Sequence, residues 1–213
     1  MDYAEIDIII EILKKKKPKA CLEWGAGYST LFFPQYITKD SNWISIEHNK
    51  EWFKKIKRLT SDDNRVEIFW VPPNCSQWTD PYEDGSFSDL KDYVEYPEKL
   101  DRKFDFILID GRARVYCLMS ALKLLEPDGV VVLHDANREY YYNGFKNYRF
   151  KQFFLDKRRD SGGVFIGSKT LDLNCILKIE KHKLEWKMIE LPLRIYQIMH
   201  ELSFRMSGTS FSS

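Results

Sequence analysis

The residues most able to bind a small molecule follow one apolar run and combine an acid, two glycines and two hydroxyl residues. They are Glu23, Gly25, Ala26, Gly27, Ser29 and Thr30. Glycines one residue apart allow a sharp turn in which the backbone approaches a ligand closely. A helix that begins near Ser29 would present free N–H groups to an anionic part of that ligand. The pattern predicts a cofactor-binding turn between a buried strand and a helix.

A second acid, Glu47, ends the next apolar segment. Its distance from Gly25 is close to the roughly 20 residues expected between a glycine turn and a ribose-binding acid. A carboxylate there can accept hydrogen bonds from both ribose hydroxyls, and the adjacent His48 joins the predicted cofactor contacts. The third glycine of a dinucleotide fingerprint would fall at Thr30, which disfavours NAD and FAD. A solvated acid at a strand end is the alternative interpretation of Glu47.

Two further apolar segments end in polar residues, the first in Asp110 and Gly111, the second in His134 and Asp135. Ligands of open α/β sheets bind outside the carboxyl ends of the strands, so we expect these acids to join the two already described. Four acids at one edge would repel one another unless a positive group lay among them. A positively charged cofactor or a divalent metal would supply that charge.

Together these segments resemble the class I S-adenosylmethionine-dependent methyltransferases. The resemblance rests on residues 23–27, Glu47, residues 104–111 and residues 133–135, and it covers residues 18 to 180. It implies a doubly wound, mostly parallel seven-stranded sheet with an antiparallel strand pair at its end. It also implies a glycine turn around the methionine part of the cofactor and an acid on its ribose, with Asp110 and Gly111 among the cofactor contacts.

Methyl transfer to an alcohol requires that the hydroxyl lose its proton, and neutral hydroxyls are poor nucleophiles, since the pKa of water itself lies far above neutrality. Asp110, His134 and Asp135 are the candidate catalytic residues, and histidine is the usual proton acceptor near neutral pH. The alternative for His134 is a structural role. Oxygen atoms of Asp110, Asp135 and Asn137 could instead hold Mg²⁺ or another divalent metal. This set resembles that of metal-dependent O-methyltransferases, although Ala136 interrupts the expected pair and leaves the third ligand open.

The connection over residues 72–103 is long and places aromatic residues among acids. Such long loops in compact domains are usually functional or disordered, and we expect a lid here. Aromatic faces beside carboxylates suit a sugar or a phenolic ring, although packing within the lid explains them equally well. Two arginines after Gly111 could bind an acidic substrate group or cap the sheet edge. The substrate candidates are Trp78, Tyr82, Arg112, Arg114 and Tyr140.

The elements that must position these residues are alternating strands and helices. Strands are expected at 19–24, 42–47, 66–71, 104–110 and 129–134, and this alternation is typical of a parallel α/β sheet. The segments 164–166 and 175–179 are expected to pair as closing antiparallel strands. We predict a single domain over 1–206, with an N-terminal helix in 1–17 and a C-terminal helix in 190–206, and a disordered tail in 207–213.

Composition argues against several classes of protein. The 213 residues include 33 Lys and Arg against 32 Asp and Glu, so no bulk attraction to nucleic acid or a membrane is expected. The four cysteines form no CxxC pair, which disfavours a zinc site and a disulfide framework. No apolar run reaches the ~18 residues of a spanning helix, so we expect a cytoplasmic protein. A homo-oligomer through the C-terminal helix, or a fusion to other domains, is left open.

The preferred function is S-adenosylmethionine-dependent transfer of a methyl group to a hydroxyl of a carbohydrate, a glycan or another small polar acceptor. A nucleic-acid methyltransferase is disfavoured, because residues 71–74 lack the acid and the aromatic residue that base-amine methyltransferases carry. Its support is a basic run over 146–159 that a solvated helix face explains more simply. A non-catalytic binding module fits the fold alone, but the acids at every matching strand end favour an enzyme.

Overall fold

The architecture is a seven-stranded sheet with helices on both faces. The computed structural model describes residues 1–77, 84–156 and 162–207. The strands are β1 (Ala20–Trp24), β2 (Asn42–Glu47), β3 (Val66–Trp70), β4 (Phe104–Ile109), β5 (Leu125–His134), β6 (Phe150–Phe154) and β7 (Val164–Ser168). The helices are α1 (Tyr3–Lys16), α2 (Tyr28–Phe32), α3 (Lys50–Leu59), α4 (Lys91–Glu95), α5 (Arg114–Leu124), α6 (Tyr142–Phe145) and α7 (Ile179–Ser207). Within this described part, no helix is long and apolar enough to cross a membrane.

The strand order is β3-β2-β1-β4-β5-β7-β6. Strands β1 to β5 pair in parallel, and β7 pairs antiparallel with both β5 and β6. The predicted doubly wound, mostly parallel sheet with an antiparallel end is therefore confirmed. Because β1 and β4 are neighbours at the point where the order reverses, their carboxyl ends open the crevice in which such sheets bind ligands.

Most of the core lies in two buried layers, one on each face of the sheet. On one face, Trp24 and Ile109 pack with α4, α5 and α6. On the other face, Trp43 and Phe106 pack with Ile8 and Ile12 of α1 and with the start of α7. Alternate residues of one strand enter opposite layers, as the period of two in a strand requires. The two layers keep the strand ends, and the site residues on them, at fixed positions.

One predicted closing strand is wrong. The partner of β7 is β6, Phe150–Phe154, and not the segment 175–179. Residues 173–175 form a 3₁₀ turn, and Ile176 and Leu177 are buried in the same layer as α1. Their apolar side chains therefore pack in the layer of the core that contains α1. In β6, Lys151 and Gln152 separate the phenylalanines, so the segment lacks the alternation that would identify it.

The C-terminal helix begins earlier than expected. It starts at Ile179, ahead of the predicted 190, and continues through Pro192. Its first turns are held by α1, because His182 is 1% exposed and its Nε2 lies 2.7 Å from Glu11 Oε2. Because residues 175–179 were expected to form a strand, the sequence pattern did not place the start of the helix at Ile179.

Candidate functional site

The glycine turn after β1 is built by close contact with the turn after β4. Gly25 has φ +96°, and a Cβ there would lie 2.5 Å from the Cα of Gly111. A Cβ on Gly111 would in turn meet the Tyr93 hydroxyl and the Gly25 backbone. Hydrogen bonds from Gly25 N to Ile46 O, 2.8 Å, and from Asp110 N to Trp24 O, 2.9 Å, hold both turns to the strands. Both glycines are thus required because two backbones touch.

Glu23 supports this turn from inside the protein and does not line the cavity. Its side chain is fully buried, and four groups donate to it, three of them hydroxyls and one the indole of Trp43 at 2.8 Å. The hydroxyls belong to Ser29, Thr30 at 2.6 Å and Ser45 at 2.5 Å. Burial raises the pKa of Glu23, and these hydrogen bonds oppose that rise. The side chains of Glu23 and Thr30 are thus both buried and bonded within the turn, and neither lines the cavity, so their predicted cofactor contacts stay predictions.

Glu47 is placed as a ligand-binding acid should be. It ends β2 and lines the cavity, and its Oε1 accepts the Asn49 N–H at 2.7 Å. His48 Nδ1 lies 3.1 Å from the same oxygen. The other oxygen, Oε2, receives no hydrogen bond from residues 1–77, 84–156 or 162–207, so it remains available to a ligand. Asn49 also caps α3 by accepting from Trp52 N at 2.9 Å, and Trp52 Nε1 donates to Ala26 O at 2.5 Å.

An open cavity of about 1170 Å³ lies above these turns. Ligand sites usually occupy about 300–1,000 Å³, so this cavity has room for a cofactor and part of a second molecule. Ile6 of α1 contributes to its wall, as do Phe32 and Phe33 at the end of α2. The predicted cofactor residues that line it are Gly25, Ala26, Gly27, Ser29, Glu47, His48, Asp110 and Gly111.

A chain of three ionisable groups borders the cavity. Asp110 Oδ1 lies 2.8 Å from His134 Nδ1, and His134 Nε2 lies 3.2 Å from Glu5 Oε2. Glu5 is fully buried, and its other oxygen accepts the N–H of Gly163 at 3.0 Å. With a carboxylate at each ring nitrogen, the imidazole is held as a cation that donates both protons. Burial alone would lower the pKa of His134, but hydrogen bonds to Asp110 and Glu5 raise it to about 9.

Arg114 joins two acids from different strands. Its Nη1 donates to Asp135 Oδ2 at 3.1 Å and to the backbone oxygen of His134 at 2.7 Å, and its Nη2 lies 3.5 Å from Asp110 Oδ1. Its backbone N–H donates to Asp84 Oδ2 at 3.2 Å. Burial alone would raise the pKa of Asp110, but His134 and Arg114 hold it below its usual range. The sequence left two roles open for Arg114, binding of an acidic substrate group and capping of the sheet edge. Its contacts with groups at the ends of two strands support the second role.

The His134 cation gives a prediction for stability. In the folded protein this ring keeps its proton to about pH 9, against an ordinary pKa of 6.5, so between these values the folded chain binds more protons than the unfolded chain. The stabilisation is complete below pH 6.5 and is lost as the pH rises through 9, by up to about 1.4 kcal/mol per pH unit. Thermal denaturation should show the Tm difference between the wild type and His134→Gln narrowing over this range. A constant difference would contradict the assignment.

The predicted metal ligands do not fit a metal. Asp135 is paired with Arg114 and lies 3.6 Å from Arg138 Nη2, while Asp110 holds His134. The carboxamide of Asn137 is turned to the backbone of Asp156, accepting its N–H at 2.9 Å and donating to its oxygen. Over the described ranges, no group of three His, Cys, Asp or Glu side chains could hold a metal ion. Guanidinium and imidazolium groups supply the positive charge that the converging acids require.

The remaining substrate candidates lie in different parts of the chain. Arg112 lines the cavity. Tyr140 packs against Tyr141, with ring centroids 4.6 Å apart, and its hydroxyl accepts from Arg138 at 3.1 Å, and it is not among the residues that line the cavity. Trp78 and Tyr82 lie outside the described residues, so their predicted contacts stay predictions.

The sequence patterns did not identify two of the residues at the site. Glu5 occupies the third position of α1, where an acid is explained as a cap, and it does accept the Asp2 N–H at 2.6 Å. Asp84 lies in the long connection, is 4% exposed, and accepts from Tyr141 at 3.3 Å as well as from Arg114. In the sequence, the feature that could have pointed to Glu5 is an acid at a capping position beside an apolar helix face. No pattern distinguishes Asp84.

Comparison with known proteins agrees with this geometry. The model of a family described as a methyltransferase domain matches residues 22–136, more than half of the chain. No curated protein matches the sequence.

Several solved structures share the fold. An O-methyltransferase from Bacillus cereus in complex with SAH has 16% identity and a TM-score of 0.59, with 79% of this chain and 82% of that chain covered. A putative caffeoyl-CoA O-methyltransferase from Staphylococcus aureus has 18% identity and a TM-score of 0.56, with 79% and 85% covered. Spermidine synthase from Thermotoga maritima has 17% identity and a TM-score of 0.52, with 82% and 61% covered. Since that protein is a synthase, the shared fold does not by itself fix the group that is transferred.

Proposed function

Because the chain belongs to the methyltransferase-domain family, we propose that it transfers a methyl group to a hydroxyl of a small polar acceptor, a carbohydrate, a glycan or a phenol. By family and fold it is a class I S-adenosylmethionine-dependent methyltransferase. The observation that carries the proposal is the pair of acids on one cavity wall, Glu47 with its available Oε2 and Asp110 at the next strand but one. One acid binds the cofactor and the other receives a proton.

The residues that would hold the cofactor fit its chemistry. S-adenosylmethionine supplies an activated methyl group on a sulfonium and carries a ribose with two hydroxyls. Glu47 Oε2 can accept from those hydroxyls while Asn49 N–H holds Oε1 in place. The Gly25–Gly27 turn exposes backbone to the cavity because no Cβ covers Gly25, so this turn is assigned to the methionine part.

Proton removal is assigned to Asp110. His134 is held as a cation by Asp110 and Glu5, so at neutral pH its ring has no free lone pair to accept a proton. Asp110 lines the cavity with its side chain 24% exposed, and its Oδ2 has no hydrogen bond from any described residue. A carboxylate with a lowered pKa is a weak base, which suits a phenolic hydroxyl with a pKa of about 10 better than an alkyl hydroxyl, whose pKa is far higher. Among the proposed acceptors, a phenol is therefore favoured.

The experiment measures binding and transfer separately. Calorimetry with S-adenosylhomocysteine should give micromolar affinity for the wild type. Release of S-adenosylhomocysteine from S-adenosylmethionine is then measured with panels of phenols and sugars, beside Asp110→Asn. We expect the variant to bind the cofactor and to lose turnover by about 10²–10⁴-fold, the usual contribution of a general base. Failure of the wild type to bind the cofactor would refute the proposal, and equal turnover in the variant would refute the role of Asp110.

Removal of metal should leave transfer unchanged. Arg114 and His134 already neutralise the acids that would otherwise attract a divalent ion. The rate of transfer in excess EDTA is therefore expected to equal the rate with Mg²⁺ added. A loss in EDTA that Mg²⁺ restores would show that the guanidinium and imidazolium groups move aside for a metal in solution.

A further inference from the structure

The two arginines that follow Gly111 have different environments. Arg114 is 7% exposed, and its guanidinium is bound by two acids and a backbone oxygen. Arg112 is half-buried and lines the cavity. Across residues 1–77, 84–156 and 162–207, no acid pairs with Arg112 and no acceptor bonds its side chain. A guanidinium in a cavity wall without an acceptor is prepared to bind an anion from outside the chain.

Three acids and three Lys or Arg side chains line the cavity, but they do not all pair with one another. Each acid already has a partner, since Glu47 has Asn49 N–H and His48, Glu51 has Lys54 at 2.8 Å, and Asp110 has His134 at 2.8 Å.

Two lining cations have no acidic partner in the described part of the chain, Arg112 and Lys55. Lys55 Nζ lies 4.3 Å from the centroid of the Trp52 ring and 5.5 Å from that of Tyr28, so ring faces supply its contacts. S-adenosylmethionine carries one carboxylate, so it can neutralise one of these two cations.

Position distinguishes the two cations. Lys55 contacts Tyr28, the first residue after the Gly25–Gly27 turn, and so lies next to the part of the cavity assigned to the methionine. Arg112 follows Gly111 on the other side of the contact between the two glycine turns, two residues after the proposed base Asp110. The cofactor carboxylate is thus assigned to the side of Lys55, and Arg112 is left beside the reacting hydroxyl.

We propose that Arg112 binds an anionic group, a carboxylate or a phosphate, on the methyl acceptor. This inference rests on the proposed function and narrows its substrate to hydroxylated molecules that also carry an acid. A guanidinium holds such a group through two parallel hydrogen bonds, which fixes orientation as well as affinity. The backbone contact between Gly111 and Gly25 fixes the position from which Arg112 extends, so the acid would set the distance between its own ring and Asp110.

The test compares an acid with its uncharged counterpart. Binding of 3,4-dihydroxybenzoate and 3,4-dihydroxybenzamide is measured by calorimetry on the wild type, Arg112→Gln and Arg58→Gln, each saturated with S-adenosylhomocysteine. Arg58 is exposed on α3 and does not line the cavity, so it controls for the change in net charge. We expect the wild type and Arg58→Gln to bind the acid at least about tenfold more tightly than the amide, and Arg112→Gln to lose that preference.

Each other outcome overturns the proposal in a recognisable way. Equal affinity for acid and amide in the wild type, or no binding of the acid up to about 10 mM, means that Arg112 binds no acceptor anion. A tenfold loss of S-adenosylhomocysteine affinity in Arg112→Gln means that the anion is the carboxylate of the cofactor. If the wild type does not bind S-adenosylhomocysteine at all, the proposed function fails and the acceptor assignment with it. The same titrations without S-adenosylhomocysteine then report whether Arg112 binds an anion independently.

Discussion

Replacement of Glu47 by glutamine weakens S-adenosylhomocysteine binding by about 10–100-fold, because hydrogen bonds to a charged group contribute about 1.5–3 kcal/mol. Glutamine keeps one oxygen to accept from Asn49 N–H, so the turn after β2 is retained. What it loses is the charge on the oxygen that we propose binds the ribose. Glu47→Ala removes both acceptors and is expected to abolish measurable binding. Calorimetry on the purified variants measures the effect.

Glu67→Gln provides the matched control for Glu47. Glu67 lies on the neighbouring strand β3, is exposed and does not line the cavity. Its affinity for S-adenosylhomocysteine should equal that of the wild type. Thermal denaturation of all variants separates loss of binding from loss of folding. If Glu47→Gln binds as tightly as Glu67→Gln, the available oxygen of Glu47 does not contact the cofactor.

Gly25→Ala is expected to destabilise the protein by about 2–5 kcal/mol. An L side chain at positive φ costs about 1–2 kcal/mol, and overpacking adds about 1–3 kcal/mol. Here the added Cβ would lie 2.5 Å from backbone atoms of Gly111, which cannot rotate away as a side chain would. The two turns must separate, so cofactor binding should be lost as well. Chemical denaturation measures the free energy of unfolding.

Gly27→Ala provides the comparison within the same turn. Gly27 has φ −166°, an extended conformation open to any residue, and its nearest Cβ contacts would be 3.7 and 3.8 Å. Its free energy of unfolding should stay within about 0.5 kcal/mol of the wild type. Equal destabilisation in the two variants would mean that the contact between the turns is not what requires Gly25.

The sequence predicts the sheet well because its parallel strands are continuous apolar runs that end in polar residues. Strands β1 to β4 match their expected ranges within about a residue, and Glu47, Asp110 and Asp135 lie at the predicted edge. To predict the role of Glu23, the direction of its side chain along β1 is needed as well. Along β1, Leu22 and Trp24 enter one layer of the core while Cys21 enters the other, so Glu23 points with Cys21 toward Trp43. Alternation within the strand decides its role, whereas its place at a strand end does not.

Contacts between distant segments explain what the sequence could not reveal. Glu5 reaches His134 across 129 positions and Gly163 across 158, and no local pattern records such a pairing. The assignment of proton removal to Asp110 depends on the contact between Glu5 and His134. Without Glu5, His134 would be a histidine at a strand end beside an acid, the arrangement from which a general base was expected. Two carboxylates on one ring turn that expected base into a cation.

The contacts of Glu5 also show that the family segment alone does not contain the whole site. The methyltransferase-domain family matches residues 22–136, whereas Glu5 precedes that segment and Gly163, whose N–H it accepts, follows it. Residues 22–136 include Asp110, His134 and Asp135 but lack the carboxylate at His134 Nε2. The charge that we assign to the His134 ring therefore depends on a helix that lies outside the part of the chain by which the family is recognised.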